Sequence, residues 1–155
     1  MVVDHVTDVV VNNCFDILGI APEFDIDLGA LNNRYIKLQM QSHPDMTGND
    51  SDSSKINFAY NLLMDPIRRA EHLSAVLGYE YKQTNGCPGE LFEIQEKLYG
   101  CSEEERGVIV SDLSQRLAEI YTNIGRLFKQ ELNNEIANAI FKQLDTAKYI
   151  KKMIS

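Results

Sequence analysis

Apolar side chains recur every three to four residues along most of this chain, and few helix-breaking residues interrupt them. Only four of its 155 residues are proline, and none is tryptophan. Long stretches rich in Leu, Ile, Ala, Glu, Gln and Lys favour helices over strands. The sequence therefore predicts an all-α fold, in which turn residues and capping residues divide the chain into separate helices.

Four helices are predicted in the first half of the chain. The first ends at Gly19 as a C-cap, and the second follows an N-cap at Asp27. Pro44 disfavours helical geometry at the residue before it and ends the second helix. Asp65 and Pro66 are the N-cap and the first residue of the fourth. The predicted helices span approximately residues 8–18, 28–42, 54–64 and 67–77.

The second half carries a different pattern. Helical spacing is lost over residues 79–89, where turn residues cluster, and this segment is predicted to be a linker. A short helix follows at 90–99, then a long helix that opens with a capping box of Ser102 and Glu105. A last helix follows a turn at Asn133-Asn134. One short and two long amphipathic helices predict an antiparallel three-helix bundle over residues 90–155.

Charge and cysteine content exclude several classes of function. The formal net charge of −8 opposes attraction to nucleic acid or to an anionic membrane surface. No apolar run approaches the roughly 20 residues of a membrane-spanning helix. The three cysteines are odd in number, widely spaced and without a C-x-x-C motif. They indicate reduced thiols in a cytosolic or matrix-like compartment rather than a disulfide framework or a zinc site, and we expect a cytoplasmic protein.

The tripeptide His43-Pro44-Asp45 separates the second and third predicted helices. A histidine near an aspartate could serve acid–base chemistry, but no nucleophile motif or glycine-rich phosphate loop accompanies it. His5 and His72 share no metal-ligand spacing with His43. The sequence therefore predicts no enzyme, no catalytic residue, no metal and no cofactor.

The order of these elements resembles a J-domain. The tripeptide is followed at the expected distance by a more specific string, Ile56-Asn57-x-Ala59-Tyr60-x-x-Leu63-x-Asp65-Pro66-x-x-Arg69-Ala70-Glu71. J-domain proteins are co-chaperones of DnaK-class ATPases. The resemblance implies that His43, Pro44 and Asp45 form the triplet that stimulates ATP hydrolysis by such a partner.

A finer resemblance is to the HscB subfamily, the J-proteins of iron–sulfur cluster assembly. It is carried by Arg34-Tyr35-x-x-Leu38-Gln39-x-Gln41-x-His43-Pro44-Asp45 and by Asp65-Pro66-Ile67-x-Arg69-Ala70-Glu71-x-Leu73. It implies a J-domain over residues 1–78, in which 1–11 are an unassigned extension, a linker over 79–89, and a client-binding bundle over 90–155. The implied protein is a monomer that delivers the scaffold protein IscU to an HscA-like ATPase.

The resemblance also implies two contact surfaces. The ATPase would meet the triplet and a basic helix face, which is reduced here to Arg34 and Lys37, and Met46 replaces the usual lysine after the triplet. IscU would meet a strip on the first bundle helix and an aromatic residue on the last helix. Phe141 and Tyr149 lie off the main apolar stripe, which favours their exposure. The scaffold-binding residues are Leu91, Phe92, Gln95, Glu96, Tyr99 and Tyr149.

Three alternatives remain open at this point. Leu91, Phe92 and Tyr149 have the spacing of core residues and could belong to the interior of the bundle. The bundle could hold a different client. Because the basic face is depleted, the chain could also be a helical adaptor without effect on an ATPase.

Overall fold

Seven α-helices and no β-strand make up the residues that the computed structural model describes, which are 13–42, 50–84 and 88–155. The prediction of an all-α fold is therefore confirmed. The helices are α1, Cys14–Leu18; α2, Leu28–Gln41; α3, Asp50–Met64; α4, Pro66–Val76; α5, Glu90–Gly100; α6, Glu103–Phe128; and α7, Asn134–Ile154.

Capping residues set several helix ends where the sequence predicts them. The side chains of Asp27, Asp65 and Ser102 each accept a backbone N–H in the first turn of α2, α4 and α6. These bonds satisfy donors that have no partner within the helix. Gly19 follows α1 with a φ of 66°, in the left-handed region that residues with a side chain rarely adopt.

Two helices begin at residues other than those predicted. α1 begins at Cys14 rather than near Asp8, because Asn13 is extended and its side chain accepts N–H bonds from the first turn. The part of that prediction before Asn13 lies outside the described residues. α3 begins at Asp50, whereas its predicted start was Ser54. Acidic and hydroxyl side chains are favourable near a helix N-terminus, so this polar segment continues the helix.

The chain forms two compact units, and the division falls between Glu80 and Tyr81. In the first unit, α3 packs against α1, α2 and α4. The backbone N–H of Cys14 donates to Nε2 of the buried His72 at 2.9 Å, which ties α1 to α4. The largest fully buried side chains of this unit are Phe15, Leu18, Leu31, Leu63 and Leu73.

The second unit is the predicted bundle. α6 packs along α7, and the short connection over residues 129–133 turns the chain back between them. α5 packs against α6. The fully buried aliphatic side chains of this second unit recur at helical spacing, as the sequence predicts, and include Leu91, Ile124, Ile140, Leu144 and Ile150.

Part of the predicted linker packs against α7. The Tyr81 ring meets the Phe141 ring edge-on, with centroids 5.4 Å apart, and its hydroxyl donates to Asp145. The backbone N–H and the hydroxyl of Thr84 donate to the same carboxylate at 2.6 and 2.5 Å. The Nζ of Lys148 lies 3.9 Å from the Tyr81 ring centroid. The expectation that Phe141 is exposed is therefore wrong, because Tyr81 covers a ring that is now buried.

The two described cysteines are free thiols with different surroundings. Cys14 is fully buried, and burial raises the pKa of its thiol from 9.0 to about 11, although the positive charge of Arg68 acts in the opposite direction. Cys101 is partly exposed. We expect iodoacetamide at mildly alkaline pH to modify Cys101 in the folded protein but Cys14 only after denaturation, because the thiolate is the reactive form. Peptide mass spectrometry measures both rates.

The raised pKa also predicts a loss of stability at alkaline pH. The neutral thiol contributes its full stabilisation below pH 9, and this contribution is lost as the pH rises from 9 through about 11. The Cys14→Ala variant should therefore lose less stability across that interval than the unsubstituted protein. Equal losses, or rapid labelling of Cys14 in the folded state, would contradict this assignment.

Candidate functional site

The predicted chaperone-contact triplet His43-Pro44-Asp45 lies outside the described residues, as does the residue after it. The two helices that flank this segment are described. α2 ends at Gln41, and α3 begins at Asp50. The residues at these two helix ends are therefore the described residues nearest to the triplet along the chain.

A cluster of polar and aromatic side chains joins α2 to α3. Tyr35 stacks on Tyr60 with ring centroids 4.0 Å apart, and its hydroxyl donates to Asn57 at 2.5 Å. The amide nitrogen of Gln39 donates to Asn57 Oδ1 at 2.9 Å and to the Ser53 carbonyl at 3.2 Å. Ser53 Oγ donates to Gln39 Oε1 at 2.7 Å. These bonds tie α2 to α3 and so contribute to how the two helices align.

This cluster between α2 and α3 was not among the predicted site residues. The sequence pattern that could have revealed the cluster is a spacing of four residues, between Tyr35 and Gln39 on α2 and between Ser53 and Asn57 on α3. Residues four apart share one face of a helix, so each pair faces the other helix when the two are antiparallel.

The two predicted cations on α2 occupy different positions. Arg34 Nε donates to the Leu18 carbonyl at 3.0 Å, so this side chain connects α2 to the end of α1. Lys37 is exposed on the outer face of α2, where the apolar side chains Ile36 and Met40 are exposed as well. The contact of Arg34 and Lys37 with an ATPase stays a prediction.

Five of the six predicted scaffold-binding residues lie together on the surface of the second unit. Tyr149 on α7 donates its hydroxyl to Gln95 on α5, and its ring meets the Phe92 ring with centroids 5.4 Å apart. Phe92 is 55% exposed and Tyr99 is 84% exposed. Glu96 is exposed beside them. We call Phe92, Gln95, Glu96, Tyr99 and Tyr149 the aromatic strip.

Leu91 does not belong to this surface. It is fully buried, so the expectation that it contacts a partner is wrong. Consecutive residues on a helix point about 100° apart, so Leu91 enters the core while Phe92 remains outside. The alternative that Phe92 belongs to the core is wrong for the same reason.

The strip offers contact rather than chemistry. It presents aromatic rings, one amide and one carboxylate, and aromatic side chains are common anchors of protein interfaces. In the part of the chain that the structure describes, no group of three His, Cys, Asp or Glu residues is placed to hold a metal ion. The surface therefore has the composition of a protein-binding site.

Comparisons with known proteins relate the two units to one family. The sequence model of the DnaJ domain matches residues 13–72, which extend from the cap of α1 into α4. A co-chaperone protein HscB homolog from Shewanella loihica is 26% identical over 91% of both chains. The homolog from Shewanella baltica is 28% identical over 91% of this chain and 90% of its own. This chain belongs to the HscB-type J-domain co-chaperones.

Identity is higher over part of the chain. The HscB homolog from Shewanella frigidimarina is 39% identical over 77 residues, or 44% of each sequence. Two solved structures share the fold of this HscB-type chain. Human HscB superposes with a TM-score of 0.79 at 24% identity, over 90% of this chain and 77% of the human one. Vibrio cholerae HscB superposes with a TM-score of 0.71 at 25% identity, over 91% and 92%.

The DnaJ match lies wholly in the first unit, and the aromatic strip lies wholly in the second. None of the helices α1 to α7 has the length and the apolar composition needed to span a membrane.

Proposed function

We propose that this HscB-type protein recruits an HscA/DnaK-class chaperone, stimulates its ATP hydrolysis and delivers IscU to it during iron–sulfur cluster assembly. In this proposal His43, Pro44 and Asp45 supply the stimulatory contact, and Lys37 and Arg34 contribute charge from the adjoining helix. The protein acts as a cytoplasmic monomer and uses no cofactor of its own. Its likeness to HscB homologs over nine-tenths of its length supports this proposal.

The exposed aromatic strip is the observation that carries the client-binding half of the proposal. Phe92 and Tyr99 leave large ring surfaces in water although the bundle core beneath them is closed by Leu91. Burial of such apolar surface against a partner contributes roughly 25 cal/mol per Å² of favourable free energy. Part of this is offset by the translational, rotational and side-chain freedom that is lost on association. Phe92 and Tyr149 contact each other and Tyr149 is bonded to Gln95, so they are already held in place before a partner arrives.

Two binding sites on one chain explain how a co-chaperone without catalytic groups can act. A client held by the second unit is delivered to the chaperone that the first unit recruits. Linkage of two sites raises the effective concentration of one partner near the other without any new contact.

Titration calorimetry with purified IscU tests this proposal. We expect heat of binding for the unsubstituted protein and at least roughly tenfold weaker binding for Phe92→Ala, because a central aromatic anchor is removed. Phe58→Ala is the matched control, since Phe58 is also 55% exposed but lies in the first unit. Absence of binding by the unsubstituted protein, or equal weakening by both variants, would contradict the proposal.

A further inference from the structure

A notch next to the aromatic strip carries two cations that have no ion-pair partner among the described residues. It lies where α5, the first turns of α6 and the end of α7 meet, and its volume is about 180 Å³. Gln95 and Tyr99 belong both to the notch and to the strip, so the two features form one continuous surface. The notch is lined by Gln95, Leu98, Tyr99, Arg106, Lys152 and Met153.

Arg106 and Lys152 are the cations of this notch. Both are exposed, and neither side chain forms a salt bridge or a hydrogen bond with any of the residues described. Arg116 in the same unit, in contrast, pairs with Glu90. Two positive charges that are not engaged in an ion pair with any described residue line this one concave site, and a negative group that enters it contacts both.

We infer that this notch receives the carboxylate of an Asp or Glu side chain on the scaffold protein that covers the aromatic strip. The inference rests on the proposed function, because the same partner occupies both surfaces. A water molecule takes up about 30 Å³ of the liquid, so a notch of about 180 Å³ accommodates a carboxylate with its ordered water. Arg106 offers the planar guanidinium geometry that matches a carboxylate, and Lys152 adds a second positive charge.

The surroundings of the notch favour a single carboxylate over a polyanion. Glu103, Glu104 and Glu105 form the first turn of α6 just before Arg106, and Glu96 is exposed on α5. These charges repel an extended phosphate backbone or an anionic membrane. One side-chain carboxylate that enters the notch meets the two cations first.

Coverage by the partner strengthens this contact. Ion pairs that stay exposed contribute little, but a pair that the surrounding interface shields from water is considerably stronger. The Tyr99 ring, which is 84% exposed, stands at the edge of the notch and would exclude water once a partner packs on it. The notch therefore adds charge selectivity to a surface whose affinity comes mainly from aromatic contacts.

Charge reversal tests this inference in the full-length protein, with purified IscU as the probe. We expect Arg106→Glu to weaken binding by roughly tenfold at low salt and to reduce the salt dependence of the affinity. An acidic residue is favourable near a helix N-terminus, so this variant retains its fold. Lys152→Gln should weaken binding in the same direction. Lys142→Glu is the control, because it makes the same charge change at an exposed position of α7 outside the notch.

A zero-length carbodiimide cross-linker provides a second measurement. It should join the Lys152 amine to an Asp or Glu of IscU, and peptide mass spectrometry would locate the cross-link.

Each other outcome overturns the inference in a distinguishable way. If Phe92→Ala weakens binding while Arg106→Glu and Lys152→Gln bind normally, the notch has no role and the proposed function stands. If Lys142→Glu weakens binding as much as Arg106→Glu, the effect is one of net charge alone. If the unsubstituted protein does not bind IscU, the proposed function fails and the inference fails with it.

Discussion

The His43→Gln variant is expected to leave an HscA-like chaperone near its basal rate of ATP hydrolysis, under conditions in which the unsubstituted protein with IscU stimulates it. The substitution removes the imidazole from the triplet that we propose as the chaperone contact, and it lies outside the second unit. A loss of stimulation of about tenfold or more corresponds to at least ~1.4 kcal/mol of contact made in the activated complex. Steady-state ATP hydrolysis by the chaperone measures it.

Two controls make this result specific. His5→Gln makes the same substitution at a histidine outside the triplet and should stimulate normally. Calorimetry should show that His43→Gln still binds IscU with unchanged affinity, because the aromatic strip lies in the other unit. Equal stimulation by His43→Gln and the unsubstituted protein would remove the triplet from the mechanism and favour the reading of an inert helical adaptor.

Substitution of two adjacent residues on α5 should separate stability from binding. Leu91→Ala is expected to lower the free energy of unfolding of the second unit by about 2–5 kcal/mol, because it leaves a cavity where a fully buried side chain packs. Phe92→Ala should lower it by less than about 1 kcal/mol, since the Phe92 ring is largely exposed. Urea denaturation followed by circular dichroism measures both.

The binding data should show the opposite order. At temperatures where both variants are folded, Leu91→Ala should bind IscU almost normally, whereas Phe92→Ala should bind weakly. If both variants lost stability equally, the packing of α5 on the bundle would differ from the one described. If Leu91→Ala were the weaker binder, Leu91 would belong to the contact surface after all.

Local chemistry explains why the helices were predictable. A capping residue such as Asp65 or Ser102 bonds within one turn of itself, so its effect is readable without knowledge of the remaining chain. Gly19 is equally local, because its φ of 66° depends on the missing side chain. The starts of α1 and α3 were less predictable. Asn13 caps α1 shortly after a valine run that itself suggested helix, and the polar residues from Asp50 onward extend α3.

Burial was harder to predict where neighbouring segments decide it. Phe141 lies off the main stripe of α7, which suggested exposure, but Tyr81 from the predicted linker covers it. Leu91 and Phe92 are both apolar and adjacent, and the sequence alone could not decide which of them enters the core. The direction of each depends on where α6 and α7 lie relative to α5.

The candidate sites also differ in whether local sequence or contacts between distant residues define them. The triplet and the string after it were recognisable from residue order, because a recognition motif is a local pattern. The cluster of Tyr35, Gln39 and Asn57 was not, because its bonds cross between two helices. The notch likewise needed Arg106 and Lys152, which are far apart in the chain, to line one cavity.

The sequence by itself determined that the described helices form, through helical spacing and capping residues, and its residue order carried the family motif around His43-Pro44-Asp45. Only the tertiary structure decided that Leu91 is core, and that the exposed Phe92 and Tyr99 share one strip with the half-buried Tyr149. It also decided that Arg106 and Lys152 line a notch beside that strip. The physical reason is that helical spacing and capping depend on bonds within a few residues. Exposure depends on which distant surfaces remain uncovered after the helices have packed.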